Sequence, residues 1–178
     1  FESINYSKKI QDALLPDIES MKKMVRDLYV FYQPKDIVSG DFYWVDEADN
    51  NVFFAAVDCT GHGVPGAFMS IVGFNLLKHA INEHKKQKPS EILDQVNKDL
   101  SDTLRQKLED SSVKDGMDIA LCKIDYNTMQ LEYSGANNPL YIIRNKELII
   151  YRGDKKPIGI FLGESLSTFT NHFIKLQK

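Results

Sequence analysis

A carboxylate stands where an apolar run of the sequence meets a glycine-rich turn. The apolar run covers residues 52–57, Asp58 follows it, and Gly61, Gly63 and Gly66 come next. A strand-like run would hold Asp58 rigidly while leaving it open to solvent, as a hard divalent cation requires of an oxygen ligand. The alternative is an aspartate that caps a turn, which is the commoner role of this residue. Asp58 is therefore a candidate metal ligand.

A second carboxylate, Asp41, opens the run of residues 40–45 that precedes the run ending at Asp58. If the two runs pair as an antiparallel hairpin, the start of the first lies beside the end of the second. Neighbouring carboxylates repel each other unless a cation lies between them. The pairing of Asp41 with Asp58 therefore predicts a metal site.

Asp118 lies within residues 117–122, which are otherwise apolar. Burying a carboxylate there without a partner would be costly. We expect Asp118 to face the metal cleft, directly or through water, or to cap the end of its strand.

The glycine-rich turn allows other interpretations. It resembles a phosphate cradle, but no Lys-Ser or Lys-Thr pair follows, which argues against a P-loop. Cys59 and His62 could form a nucleophile and its base, although a cysteine after an apolar strand is more often an inert core thiol. His62 could also be a proton donor, a metal ligand or a turn residue, and we favour a place for it in the active site. The remaining histidines share no ligand spacing and are expected to be surface or core residues: His79, His84 and His172.

The periodicity of the chain predicts which elements hold these residues. Two helices are expected, over residues 67–81 and from Ser90 through Leu108. Strands are expected at 28–32, 40–45, 52–57, 117–124, 130–133, 140–144, 147–151 and 168–176. Strands followed by helices and again by strands indicate an α+β fold with mainly antiparallel sheets.

An N-terminal helix is predicted before Pro16, with a narrow apolar stripe of Tyr6, Ile10, Ala13 and Leu14. This stripe is typical of a coiled-coil seam or linker helix, and equally of a helix that packs on its own domain. The first alternative predicts a parallel homodimer that passes a signal from an upstream sensor domain.

The composition is typical of a folded domain and gives no indication of a nucleic-acid-binding or membrane protein. The 178 residues carry a net charge of −3 and are 43% hydrophobic, so a folded domain is expected and neither nucleic acid nor an anionic membrane surface is indicated as a partner. No run approaches the roughly 18 consecutive apolar residues of a membrane span. The two cysteines, Cys59 and Cys122, are too few for a disulfide framework, which favours the cytoplasm.

At this point the sequence resembles the SpoIIE-type branch of the metal-dependent (PPM) serine/threonine protein phosphatases. The resemblance depends most on residues 32–44 and 58–70, and extends to residues 115–121, 133–141 and 156–159. Residues 10–16 are similar to the helix that commonly precedes such domains.

The resemblance implies a two-sheet sandwich flanked by helices, with two manganese or magnesium ions in a cleft. Asp41 and Asp58 match ligand positions, and Cys59 would contribute only its backbone carbonyl. Asp118 would assist them. The implied reaction is hydrolysis of phosphoserine or phosphothreonine by a metal-activated water, with His62 protonating the leaving oxygen. The implied substrate is a phosphorylated regulatory protein, such as one in a sigma factor pathway. The alternative is a catalytically silent module that binds a partner through the same fold.

The resemblance also predicts a division of the chain into a linker helix over residues 1–16 and a phosphatase domain over residues 17–178. Two further metal-binding segments of the family, an Asp-Gly and an Asp pair, would follow Lys178. We therefore expect that in residues 1–178 one of the two metals binds weakly or not at all, and that hydrolysis of phosphate esters is far slower than in a domain that has these segments.

Overall fold

The computed structural model describes residues 2–25, 27–105, 115–159 and 168–177. In chain order, the helices are α1 (Glu2–Leu14), α2 (Ile18–Met24), α3 (Gly63–Asn82) and α4 (Pro89–Arg105). The strands are β1 (Phe42–Ala48), β2 (Asn51–Cys59), β3 (Met117–Asp125), β4 (Gln130–Ala136), β5 (Leu140–Arg144), β6 (Glu147–Tyr151) and β7 (His172–Lys175).

The strands form two antiparallel sheets. Five of them make one sheet in the order β1-β2-β3-β4-β7, and β5 pairs with β6 in a second, smaller sheet. Strand β2 lies between β1 and β3, and its Phe53 and Phe54 pack into apolar clusters on opposite faces of the sheet, which explains why its sequence is apolar on both faces. The predicted α+β fold with mainly antiparallel sheets is confirmed.

The large sheet separates two apolar layers. On one face, β2 and β3 pack against α3 and α4 in a core that includes Phe53, Leu77 and Leu121. On the other face, Cys122 and Tyr133 pack with apolar residues of β5 and β6. Because side chains alternate between faces, the central strands β2, β3 and β4 contribute to both layers.

The expected strand at residues 28–32 is wrong, because these residues form no strand ladder. Tyr29 and Phe31 are 83% and 77% exposed, although aromatic residues favour strands. Strand propensity reflects packing on a pleated surface, and this segment has no such surface to pack on. The expected apolar position at Leu108 lies outside the described residues.

Helix α3 is the one described helix that is long and apolar enough to cross a membrane by length and composition alone. Leu77, Ala80 and Ile81 of this helix are buried in the core against the large sheet. This burial is the behaviour of a core helix, so the composition of α3 is weak evidence for a membrane span.

Helix α1 packs on the rest of the chain. Its buried residue is Gln11, and Leu15, which follows the helix, packs against the core. Tyr6 and Ile10 of the predicted stripe remain exposed. The chain itself therefore leaves the outer part of the stripe uncovered.

Candidate metal and catalytic site

The register of three strands aligns three carboxylates at one end of the large sheet. Phe42 pairs with Val57, so Asp41, one residue earlier, stands opposite Asp58. Asp58 in turn pairs with Asp118 across β2 and β3. Residues directly opposite each other in antiparallel strands share a face. The three candidate ligands are therefore neighbours, and the sequence predicted this arrangement for Asp41 and Asp58.

This face is the one turned away from α3 and α4. Val57 and Cys59 point into the helix-packed core, so Asp58 between them points to the other side. There, Asp41 and Asp58 line an open cavity of about 340 Å³ together with Tyr32, Tyr43 and Asn138, among others. The carboxylates are thus accessible to a small ligand.

The surroundings of Asp41 disfavour its ionised form, because its carboxyl is partly buried and the carboxylate of Asp58 lies beside it. Although the residue reaches solvent, partial burial of its carboxyl raises the pKa of Asp41. The charge of Asp58 and a hydrogen bond to it raise this pKa further. A divalent cation between the two carboxylates would offset the repulsion, so these residues fit a hard metal ion. If one carboxylate oxygen is taken from each of Asp41, Asp58 and Asp118, the three oxygens do not all lie within 4.8 Å of one another. One other group of the described residues has ligand atoms that do lie this close together.

The loop after Asp58 is shaped by close backbone contacts. A Cβ added at Gly66 would lie 2.5 Å from the carbonyl oxygen of Gly61, and one added at Gly40 would lie 2.7 Å from that same oxygen. Thr60 anchors the loop to the start of β3, because its amide donates to the Gly116 carbonyl and its hydroxyl accepts from the Gly116 amide. Only glycine permits this packing of the loop against the residue before Asp41.

His62 is held by a carboxylate that the sequence analysis did not single out. Its Nδ1 lies 3.0 Å from Oδ2 of Asp36. An ionised carboxylate only accepts hydrogen bonds, so Nδ1 carries the proton in this contact. The His62 side chain is 75% exposed. His62 is therefore an oriented, solvent-accessible imidazole at the start of α3.

Cys59 does not have the surroundings of a nucleophile. Its side chain is buried in the helix-packed core, and the free thiol forms no disulfide. Burial, with smaller contributions from the charges of Asp41 and Asp58, raises the pKa of the Cys59 thiol to about 12. The thiolate needed for attack is therefore suppressed.

Asp118 is half-buried and has a defined partner. Its Oδ1 accepts a hydrogen bond of 2.8 Å from Nδ2 of Asn137, which follows β4. Asp118 is therefore beside Asp58 in the ladder, and Asn137 orients its carboxylate.

The sequence did not predict three of the contacts at this site. Two are the contacts of Asp36 and Asn137 described above, and the third links Gln11 to Asp41 through Ser39. The Ser39 hydroxyl accepts from the Asp41 amide, and the Ser39 backbone is bonded on both sides by Gln11 of α1. Asp36 and Asn137 lie in segments quoted for the family resemblance, which was the available signal. Nothing in the polar pattern of α1 distinguished Gln11 from its exposed neighbours.

The chain is similar to a known protein family and to several solved structures. The family described as Stage II sporulation protein E (SpoIIE) matches residues 48–178. The SiaA-PP2C domain of Pseudomonas aeruginosa is 30% identical, with a TM-score of 0.82 over 99% of this chain and 67% of that one. None of the curated proteins matches the chain.

Two further solved structures share the fold. The PP2C phosphatase domain of SpoIIE from Bacillus subtilis, solved with a fragment of its regulatory domain, is 21% identical with a TM-score of 0.61. This match covers 79% of this chain and 39% of that one. RsbX in complex with magnesium is 17% identical with a TM-score of 0.58, over 79% of this chain and 62% of that one.

The fold and the family match define a phosphatase-type domain of the PP2C class. The chain belongs to the SpoIIE family, as the resemblance in the sequence predicted.

Proposed function

We propose that this domain is a manganese- or magnesium-dependent protein serine/threonine phosphatase of a bacterial signalling pathway. The observation that carries the proposal is the alignment of Asp41, Asp58 and Asp118 at one end of the sheet. Membership of a phosphatase family supports it.

Asp41 and Asp58 would hold the cations, and the Cys59 carbonyl and Asp118 would assist. When bound, two such ions lower the pKa of a water molecule and neutralise negative charge on the phosphoryl oxygens. The structure of RsbX with magnesium supports a hard cation in this fold. The side chain of Cys59 takes no part, since its thiol points into the core.

His62 would supply the proton to the leaving oxygen of serine or threonine. The contact with Asp36 holds the proton on Nδ1 and orients the ring, so the proton given to the leaving oxygen would come from Nε2 of the doubly protonated imidazolium, leaving the neutral ring with its Nδ1 proton still on Asp36. Proton transfer by a positioned side chain contributes about 10²–10⁴-fold to a rate.

The wider role follows the same proposal. The substrate would be a phosphorylated regulatory protein of the cytoplasm, for example one in a sigma factor pathway. Residues 1–16, with exposed Tyr6 and Ile10, would connect an upstream sensor and pair with a second copy.

The test is hydrolysis of p-nitrophenyl phosphate and of a phosphoserine peptide by the full-length protein, with and without Mn²⁺. Asp58→Asn should lower both rates at least about 100-fold, because charge stabilisation by bound metal is worth several kcal/mol. His62→Ala should slow the peptide reaction by about 100-fold and spare the aryl phosphate, since nitrophenolate leaves without protonation. Absence of both Mn²⁺ binding and turnover would refute the proposal and favour a silent partner-binding module.

A further inference from the structure

The far end of α3 carries a second group of metal-ligand side chains. His79 in the last turn of α3, His84 just after it and Asp99 of α4 each offer one ligand atom, and these atoms all lie within 4.8 Å of one another. No other group of three or more such side chains meets this criterion among the described residues. We infer that His79, His84 and Asp99 form a binding site for zinc or a similar transition metal ion.

The end of α3 explains how two histidines five positions apart meet. The amides of Glu83 and His84 both donate to the carbonyl of His79, at 2.9 and 3.2 Å. The chain therefore turns tightly and brings the His84 ring back onto His79, with ring centroids 4.7 Å apart and planes at 81°. Spacing alone hides this pair, because residues five apart on a continuous helix do not face each other.

Asp99 is the third member of the group, and only one of its two carboxylate oxygens accepts a hydrogen bond. Its Oδ1 accepts a hydrogen bond of 2.8 Å from Gln95. Its Oδ2 is buried, has no hydrogen-bond partner, and lies 3.6 Å from Nε2 of His84. A buried carboxylate oxygen without a donor is costly, and a metal ion bound by the two imidazoles would satisfy it.

The surroundings favour a cation with an open coordination position. His79 and Asp99 line a cavity of about 650 Å³, whose other charged wall residues, among those that the structure describes, are Glu83, Asp102 and Lys78. With Asp99 included, this described part of the wall has three carboxylates and one ammonium group. Two histidines and one carboxylate with a free position is a ligand set that zinc accepts, with water in the fourth place.

This site is separate from the carboxylates at the end of the sheet. Gly63 to His79 spans 16 residues of helix, or about 24 Å at 1.5 Å per residue. The two sites also differ in chemistry, since imidazole suits zinc, whereas carboxylate-only sets suit magnesium and manganese. A metal here would fasten the end of α3 to α4.

The test is Zn²⁺ titration by calorimetry on metal-free, tag-free protein, with Co²⁺ absorption as the spectroscopic readout of imidazole ligation. His84→Ala and Asp99→Asn should each weaken Zn²⁺ binding by more than about 100-fold, because even partners outside the ligand shell are worth about 10- to 100-fold. His84 is on the surface, so its replacement should leave the fold intact; circular dichroism checks this.

Two matched controls separate this site from its neighbours. Asp102→Asn removes a carboxylate from the same cavity and should change zinc affinity less than about threefold, since it is not a ligand. Asp41→Asn should leave unchanged the cobalt spectrum and the zinc-binding step that His84→Ala removes, although zinc can also bind the carboxylates at the end of the sheet. The inference is overturned if the wild-type chain binds no zinc, if His84→Ala and Asp99→Asn bind it as tightly as wild type, or if binding disappears in Asp41→Asn.

Discussion

Gln11 is the polar contact that fastens α1 to the candidate site. Its Nε2 donates to the Ser39 carbonyl at 2.6 Å and to the Ser70 hydroxyl at 2.9 Å, and its Oε1 accepts from the Ser39 amide at 2.9 Å. Ser39 is buried and its hydroxyl accepts from the Asp41 amide. Replacing Gln11 with Ala therefore removes the partners of two backbone groups next to a candidate metal ligand.

The cost can be estimated from those orphaned groups. A buried donor or acceptor left without a partner costs about 1–3 kcal/mol, so two give about 2–6 kcal/mol. The Ser70 hydroxyl keeps its bond to the Ala67 carbonyl and adds little. Because Gln11 is the buried residue of α1, the helix can move away and admit water to Ser39. We therefore expect the lower part of the range, about 2–3 kcal/mol.

The assay is urea unfolding followed by the fluorescence of Trp44, the single tryptophan, which is buried on β1. Hydrogen exchange of the α1 amides should report loss of docking in the same variant. Lys9→Ala, an exposed change on the same helix, is the matched control and should fall within about 0.5 kcal/mol of wild type. If Gln11→Ala matched Lys9→Ala in both measurements, the contact would not hold the helix.

Three other changes test separate parts of the structure. Lys123 and Glu132 form a 2.7 Å ion pair with side chains only 11% and 9% exposed. Glu132→Ala leaves Lys123 buried without this partner, so the free energy of unfolding in urea should fall by about 3–5 kcal/mol. Replacing both residues with apolar ones should recover most of that loss. Gly66→Ala forces a Cβ against backbone and should destabilise by about 1–3 kcal/mol and weaken Mn²⁺ binding; retention of both would contradict the close packing. Asp41 has a raised pKa in the folded protein, so its ionisation lowers the free energy of unfolding as the pH rises from about 4 through that pKa. In EDTA at pH 7, Asp41→Asn should therefore have a higher melting temperature than wild type. In Mn²⁺, the wild type should have the higher melting temperature.

The pairing of Asp41 with Asp58 could be predicted because it depends on chain order and the two-residue period of strands. A short turn between two strand-like runs fixes the hairpin, and the hairpin fixes the neighbours. Asp118 could be placed only as an anomaly in an apolar strand, because its pairing with Asp58 depends on which strands adjoin in the sheet.

The contacts that could not be predicted join elements distant in sequence. The distance between Gln11 and Ser39 depends on how α1 lies on the domain, and Asp99 meets His84 only because α3 packs on α4. The strand expected at residues 28–32 failed for the same kind of reason, since propensity does not show whether a sheet edge is available.

The most direct test of the central claim is the binding of Mn²⁺ followed by electron paramagnetic resonance of the free ion, at neutral pH. Using His84→Ala as the background removes the histidine site from the measurement. We expect this protein to deplete the free Mn²⁺ signal. Adding Asp41→Asn or Asp58→Asn should weaken Mn²⁺ binding by at least about tenfold, because the substitution removes a charged oxygen ligand and the repulsion between carboxylates that the cation offsets. Equal depletion by all three proteins would show that the aligned carboxylates are not the metal site.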